Sequence, residues 1–244
     1  GLEDAELQEA FGLGFCDGSL LHAAPKSGDT REALIDLGIL NDKGKEHFLG
    51  CVVVPLEHPE LGIVGLYGRR LSKQARVRHL YLPGPKRGIL NWPSLNESKT
   101  VYLCEGVFDA LSLWAVGVRN VSCLYGSTMP TDLERHLRAS AVRELRLCLD
   151  EDRAGIEAGE RLAAELGDRF EIGRVMLPDG QDPNAVLAGE SPGILREFLN
   201  CVKPLSNGPD HSADSGREIP LCETHKDGFT LAFEDVTYEV EPRP

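Results

Sequence analysis

The sequence lacks any apolar run approaching the ~20 residues that a membrane-spanning helix needs. Its opening residues, GLEDAELQ, have neither the basic nor the apolar region of a secretory signal. No membrane association is expected. No initiator methionine precedes Gly1, so a fragment or a processed chain is expected. Cysteine pairs in CxxC spacing are also absent, although seven cysteines occur: Cys16, Cys51, Cys104, Cys123, Cys148, Cys201 and Cys222. An odd, scattered set argues against a disulfide framework and fits a reducing cytoplasm. Cys104, Cys123 and Cys148 lie in apolar runs read as core strands, where a free thiol acts as a small hydrophobe. Cys222 and His225 have half of a zinc spacing with no second half nearby. A structural zinc takes four ligands, so zinc is not expected in this fragment.

Acidic residues are missing from one long basic stretch. The 244-residue chain carries a net charge of −13, yet 61–96 contain no Asp or Glu and hold Arg69, Arg70, Lys73, Arg76, Arg78, Lys86 and Arg87. That local charge of +7 would suit a polyanion such as nucleic acid or a triphosphate; a solvated basic hairpin is the plainer alternative.

Two strand-to-helix junctions carry the chemistry. Residues 101–117 read VYLCEGVFDALSLWAVG: a short buried strand, a turn at Glu105-Gly106, then apolar residues at helical spacing from Asp109. In open α/β sheets ligands bind at the carboxyl ends of the strands, which is where Glu105 falls. The second junction follows the run ELRLCL (144–149) with Asp150-Glu151-Asp152 and then a helix over 154–166. Asp150 and Asp152 are two apart, so an extended strand end points both to one side. Like carboxylates in close proximity stay ionised together only with a compensating cation. All-oxygen sites that keep several waters and share substrate phosphates are typical of Mg²⁺. Glu105, Asp150 and Asp152 thus suggest a divalent-metal site for phosphoryl or nucleotidyl chemistry.

Four ordered segments then carry a resemblance: EGVFDAL, Gly126-Ser127 after a strand, LDEDRAG, and LPDGQDP (177–183). Together they resemble the TOPRIM domain of DnaG-type primases, topoisomerases and some nucleases, with the primase version most similar. The resemblance extends upstream through Leu13-Gly14-Phe15, Val54-Pro55-Leu56 and Tyr67-Gly68-Arg69, and the wording of 81–92 is similar to primase-like proteins of mobile elements. It implies that Glu105, Asp150 and Asp152 hold Mg²⁺ or Mn²⁺, with Asp109 and Asp182 as outer carboxylates. Each of these two is alternatively a helix cap. It implies that Arg69 faces the triphosphate, and that Arg78, Lys86 and Arg87 serve NTP or template binding. The chain departs from the family at Asn184, where a further Asp often stands, and at Leu49 and Cys51, where basic residues precede the strand.

The expected fold class is α/β. A parallel-sheet TOPRIM domain (99–203) follows a mixed α+β primase subdomain (1–98). A linker and β-hairpin (204–244), either the start of a further domain or a piece that packs on the core, close the chain. Expected helices are 4–11, 30–37 (capped by Asp29 or Thr30), 109–116, 131–139 with a capping box at Thr131 and Glu134, 154–166, 183–188 and 193–200. Expected strands are 48–56, 62–71, 78–82, 100–104, 120–125, 144–149 and 172–177. The hairpin turns at Glu234-Asp235.

The implied activity is RNA primer synthesis by metal-dependent nucleotidyl transfer on single-stranded DNA, with NTPs as substrates and a replicative helicase or element-encoded replication protein as a partner. A metal-dependent nuclease using the same carboxylates, or a non-catalytic nucleic-acid-binding subunit, are the alternatives. A topoisomerase needs a nucleophilic tyrosine, and Tyr102 and Tyr125 both fall in expected core strands.

Overall fold

The structure, a computed structural model, describes residues 2–72, 74–208, 221–225, 228–233 and 236–240. Lys73, the turn at Glu234-Asp235 and residues 209–218 of the expected linker lie outside them. The chain divides between Leu90 and Asn91, upstream of the expected boundary at 98. The reason is local: Asn91 donates from Nδ2 to the carbonyls of Arg119 (2.8 Å) and Val121 (3.0 Å), which ties 91–98 to the second unit.

The first unit begins with α1 (Ala5–Ala10), whose cap Asp4 accepts from Glu6 N–H. Next come β1 (Gly14–Phe15), α2 (Leu20–Ala23) and α3 (Asp29–Asp36). The cap of α3 is Gly28, with no side-chain bond, rather than Asp29 or Thr30: those two already lie in the helix. The long strands β2 (Cys51–His58) and β3 (Gly62–Arg70) form an antiparallel hairpin flanked by β1 and by β4 (His79–Tyr81), giving the order β1-β2-β3-β4. Residues 48–50, expected at the start of a strand, instead form a turn, with Cys51 N–H bonded to Phe48 C=O at 2.9 Å. Tyr67, Val54, Leu56 and Cys51 are almost fully buried on this sheet.

The second unit contains α4 (Trp92–Leu95) and then alternates β5 (Thr100–Cys104), α5 (Val107–Ala115), β6 (Val121–Cys123), α6 (Thr131–Ala139), β7 (Glu144–Cys148), α7 (Arg153–Leu166) and β8 (Glu171–Val175), followed by α8 (Pro183–Gly189) and α9 (Pro192–Phe198). Alternation of this kind makes a parallel sheet, and β6, β5, β7 and β8 pair in parallel in that order. One strand was not expected. β9 (Val202–Asn207) pairs antiparallel with β8 at the sheet edge. Its sequence, VKPLSN, reads as the start of a linker; pairing, not propensity, makes it a strand.

The buried residues of α7 recur at 155, 158, 159, 162 and 166, a single helical stripe that packs on the sheet. α5 buries Val107, Ala110, Leu111, Leu113 and Trp114 and so is apolar nearly all round. It starts at Val107, ahead of the expected Asp109. α6 has no side-chain cap: Pro130 occupies the capping position, so the expected box at Thr131 does not form.

The expected hairpin is a three-stranded antiparallel meander, β10 (Leu221–His225), β11 (Gly228–Phe233) and β12 (Val236–Val240). Cys222 and His225 both lie in β10.

Candidate active site

Register builds the site. Cys104 of β5 pairs with Cys148 of β7, the last residue of each strand. Glu105 and Asp150 therefore emerge at the same sheet edge, from adjacent strands ~4.8 Å apart. The carbonyl of Glu105 accepts from Gly126 N–H at 3.0 Å, which anchors the turn after β6 beside it. Asp152 caps α7, its Oδ1 accepting from Gly155 N–H at 2.8 Å. Asp182 caps α8 in the same way through Ala185 N–H. Asp109 accepts from Gly106 N–H at 3.2 Å and from Asn184 N–H at 3.4 Å, one on each oxygen. Asp109, Asp152 and Asp182 are all caps or cap-like acceptors, and all three belong to one cluster with Glu105 and Asp150.

The charges show this. Burial first, then Asp182 and Asp150, raise Asp109 to about 7 against the two N–H donors, which act to lower it. Burial raises Asp150 to about 6, reinforced by Glu105, Asp182 and Asp152. Glu105 is raised by burial and then by Asp152 and Asp182. Asp182 is the one carboxylate that acts on all three. Crowding of this kind is what an ion would relieve.

The donor set suits a hard dication, being all carboxylate oxygen. Among the described residues no three acidic, His or Cys side chains close on one point.

Contacts that sequence reasoning missed support this edge. A Cβ at Gly155 would lie 2.1 Å from the Asp150 carbonyl oxygen. Only glycine lets α7 start this close to Asp150. Asn184 donates from Nδ2 to Ser112 Oγ at 3.0 Å, and Ser112 donates to Phe108 C=O at 2.8 Å. Asn184 therefore fastens α8 to α5 and brings no further negative charge near Asp109. Tyr102 is half-buried and its hydroxyl accepts from Arg146 at 2.9 Å. Tyr125 is buried and lies just beyond β6 with φ +57, not within the strand.

The basic candidates lie in the first unit. Arg69 lies one residue before the end of β3 and bonds to His79, its register partner on β4; His79 also bonds to Tyr67 Oη at 2.9 Å. Burial, with Arg69 and Arg78, lowers the His79 pKa. Lys86 Nζ sits 4.6 Å from the centre of the Tyr81 ring. Arg78 and Arg87 are exposed. Arg69, His79, Tyr81 and Lys86 thus gather about β3 and β4.

The sequence profile of the Toprim-like family matches residues 102–187, from β5 into α8, and so takes in all five carboxylates. Residues 102–187 are a Toprim-like domain. Beyond this domain, the chain is similar to DNA primases. It is 29% identical over 224 residues to that of Myxococcus xanthus, covering 85% of this chain and 37% of the relative. It is 26% identical over 209 residues to that of Helicobacter pylori, covering 79% and 37%. The chain thus spans well under half the length of these relatives. Among solved structures it is similar to the Aquifex aeolicus primase, described by its zinc-binding and RNA polymerase domains, with a TM-score of 0.69 and 25% identity over 83% of this chain and 54% of that one. A DnaG primase catalytic domain bound to single-stranded DNA shares the fold, with a TM-score of 0.68 at 23% identity over 83% of this chain and 71% of that one. Among the described residues no helix is long and apolar enough to cross a membrane.

Proposed function

We propose that this chain is the catalytic part of a DNA primase, making short RNA primers on single-stranded DNA. The carboxylate cluster of the Toprim-like domain, at an edge where β5 and β7 end in register, carries the reading. The similarity to DNA primases over most of the chain supports it.

Glu105, Asp150 and Asp152 would hold Mg²⁺ or Mn²⁺, with Asp109 and Asp182 beside them. Such an ion, when bound, lowers the pKa of an attacking 3′-hydroxyl and offsets the charge of the transferring phosphate. The protein's own contribution is placement. Asp152 is held by its cap, Asp150 by the glycine-only approach of α7, and Asp109 by two backbone N–H groups. Arg69, Arg78, Lys86 and Arg87 would neutralise triphosphate or template phosphate, with Arg69 oriented by His79. Template contacts would go to the backbone with little reading of bases. A replicative helicase or element-encoded replication protein would deliver the strand.

The test incubates the protein with single-stranded DNA, labelled NTPs and Mg²⁺ or Mn²⁺, alongside Glu105→Gln. Metal-dependent oligoribonucleotides from the wild type alone support the reading. Oligoribonucleotides from both proteins exclude the assigned site, and cleavage of the template turns the same carboxylates into those of a nuclease.

A further inference from the structure

Glu151 sits between two of the candidate ligands, yet its side chain does not act on the cluster. Strand alternation turns it to the other side. There it is 8% exposed and meets Arg174 of β8, 6% exposed, with Nη2 and Oε2 2.8 Å apart. The contact is that of an ion pair, though off the line of a hydrogen bond. Its backbone binds the segment 177–181 twice: Glu151 N–H donates to Gln181 C=O at 3.0 Å, and Gly180 N–H donates to Glu151 C=O at 2.8 Å. The segment closes on itself as a turn, with Gln181 N–H on Pro178 C=O at 3.0 Å and Gly180 at φ +70. The next residue is Asp182.

We infer that Glu151 is a positioning residue. Paired with Arg174, it fastens the 177–181 turn and so sets where Asp182 meets Glu105, Asp109 and Asp150. Two features argue for a fastening rather than a filler. A buried ion pair is costly to form and is often no more stabilising than an apolar pair of the same size, and its best-attested use is to fix register. The segment it fixes also has no place in the sheet: Val175 ends β8 and Pro183 begins α8. Asn184 holds the far side of α8 through Asp109 and Ser112, so Glu151 supplies the opposing restraint.

The inference rests on the metal-dependent reading only through Asp182, so two readouts are needed. Mn²⁺ affinity, by water-proton relaxation without nucleotide, is measured for the wild type, Glu151→Gln, Arg174→Met, Asp182→Asn and Glu151→Gln/Asp182→Asn. Amide exchange is followed at Leu177 and Gly180. Glu151→Gln and Arg174→Met should each weaken Mn²⁺ binding roughly tenfold, in the range seen for residues that orient metal ligands. The double variant should be no weaker than Asp182→Asn alone, and protection at Gly180 should fall while that of β7 holds. Undiminished Mn²⁺ binding in Glu151→Gln, or losses that simply add to those of Asp182→Asn, would overturn the inference. If the wild type itself binds no Mn²⁺, the metal reading falls, and the exchange decides the fastening: retained protection at Gly180 in Glu151→Gln removes it, lost protection keeps it. Should Glu151→Gln not fold, Glu151→Leu/Arg174→Met removes both charges together and carries the same readouts.

Discussion

At the scale of single residues, Asp150 combines two opposed demands. Without a bound ion its negative charge works against the fold. Asp150 at about 6 and Asp109 at about 7 hold their protons more tightly than an unfolded carboxyl at ~4. Between pH ~4 and ~7 the folded state therefore binds more protons, and stability falls as pH rises through that window. In metal-free protein the melting temperature should drop from pH 5 to pH 7.5, and Mn²⁺ should restore part of it. Asp150→Asn should melt higher than the wild type at pH 7.5 without metal, yet make no primers. A lower melting temperature in that variant would mean that the charge is compensated by some group other than an ion. The placement of Glu105 and Asp150 at neighbouring strand ends was legible in the sequence because a strand-to-helix junction is a local pattern. The roles within DED were only partly legible. Alternation assigns Asp150 and Asp152 to one side, but Arg174, the partner that explains Glu151, is distant in the chain and reaches it through β7–β8 pairing.

At the scale of elements, the start of α7 is the tightest fit. Gly155→Ala would place a methyl 2.1 Å from a backbone oxygen, so something must move. The expected cost is about 1–3 kcal/mol, read by urea denaturation, together with a large loss of primer synthesis because Asp150 is displaced. Leu162→Ala, on the same buried stripe but away from the carboxylates, should cost about 2–5 kcal/mol and spare synthesis in the molecules that remain folded. Equal losses of synthesis would assign Gly155 to packing alone. Most helices and strands were legible from periodicity, and their errors share a cause. β9 contains Pro204 and Ser206 and acquires its extended form from β8. The first turn of α5 was missed because Val107 and Phe108 have no helical signature until the part-buried Asp109 closes onto Gly106. The cap of α6 was misread because Thr131 has a capping side chain but sits one residue inside the helix.

At the scale of the whole molecule, charge is divided by position. The overall balance of −13 would repel nucleic acid, so on the proposed reading the strand is held by the stretch 61–96 and its seven basic residues. Affinity for single-stranded DNA should therefore fall steeply with salt, with a logarithmic slope no steeper than about −5 if all seven contact phosphate. Arg69→Ala and Lys86→Ala should each reduce that slope by about 0.7; an unchanged slope would place the strand elsewhere. The thiols divide along the same boundary. Cys51 is fully buried in the first unit, and Cys104, Cys123 and Cys148 lie side by side across β6, β5 and β7 in the second. Burial holds the Cys104 thiol well above its ordinary pKa, so it stays inert to alkylation until its sheet opens. The chain thus carries an internal clock for each half: the rate at which a mild alkylating reagent marks Cys51, against the rate for the sheet thiols, times the opening of each half separately, with no label added.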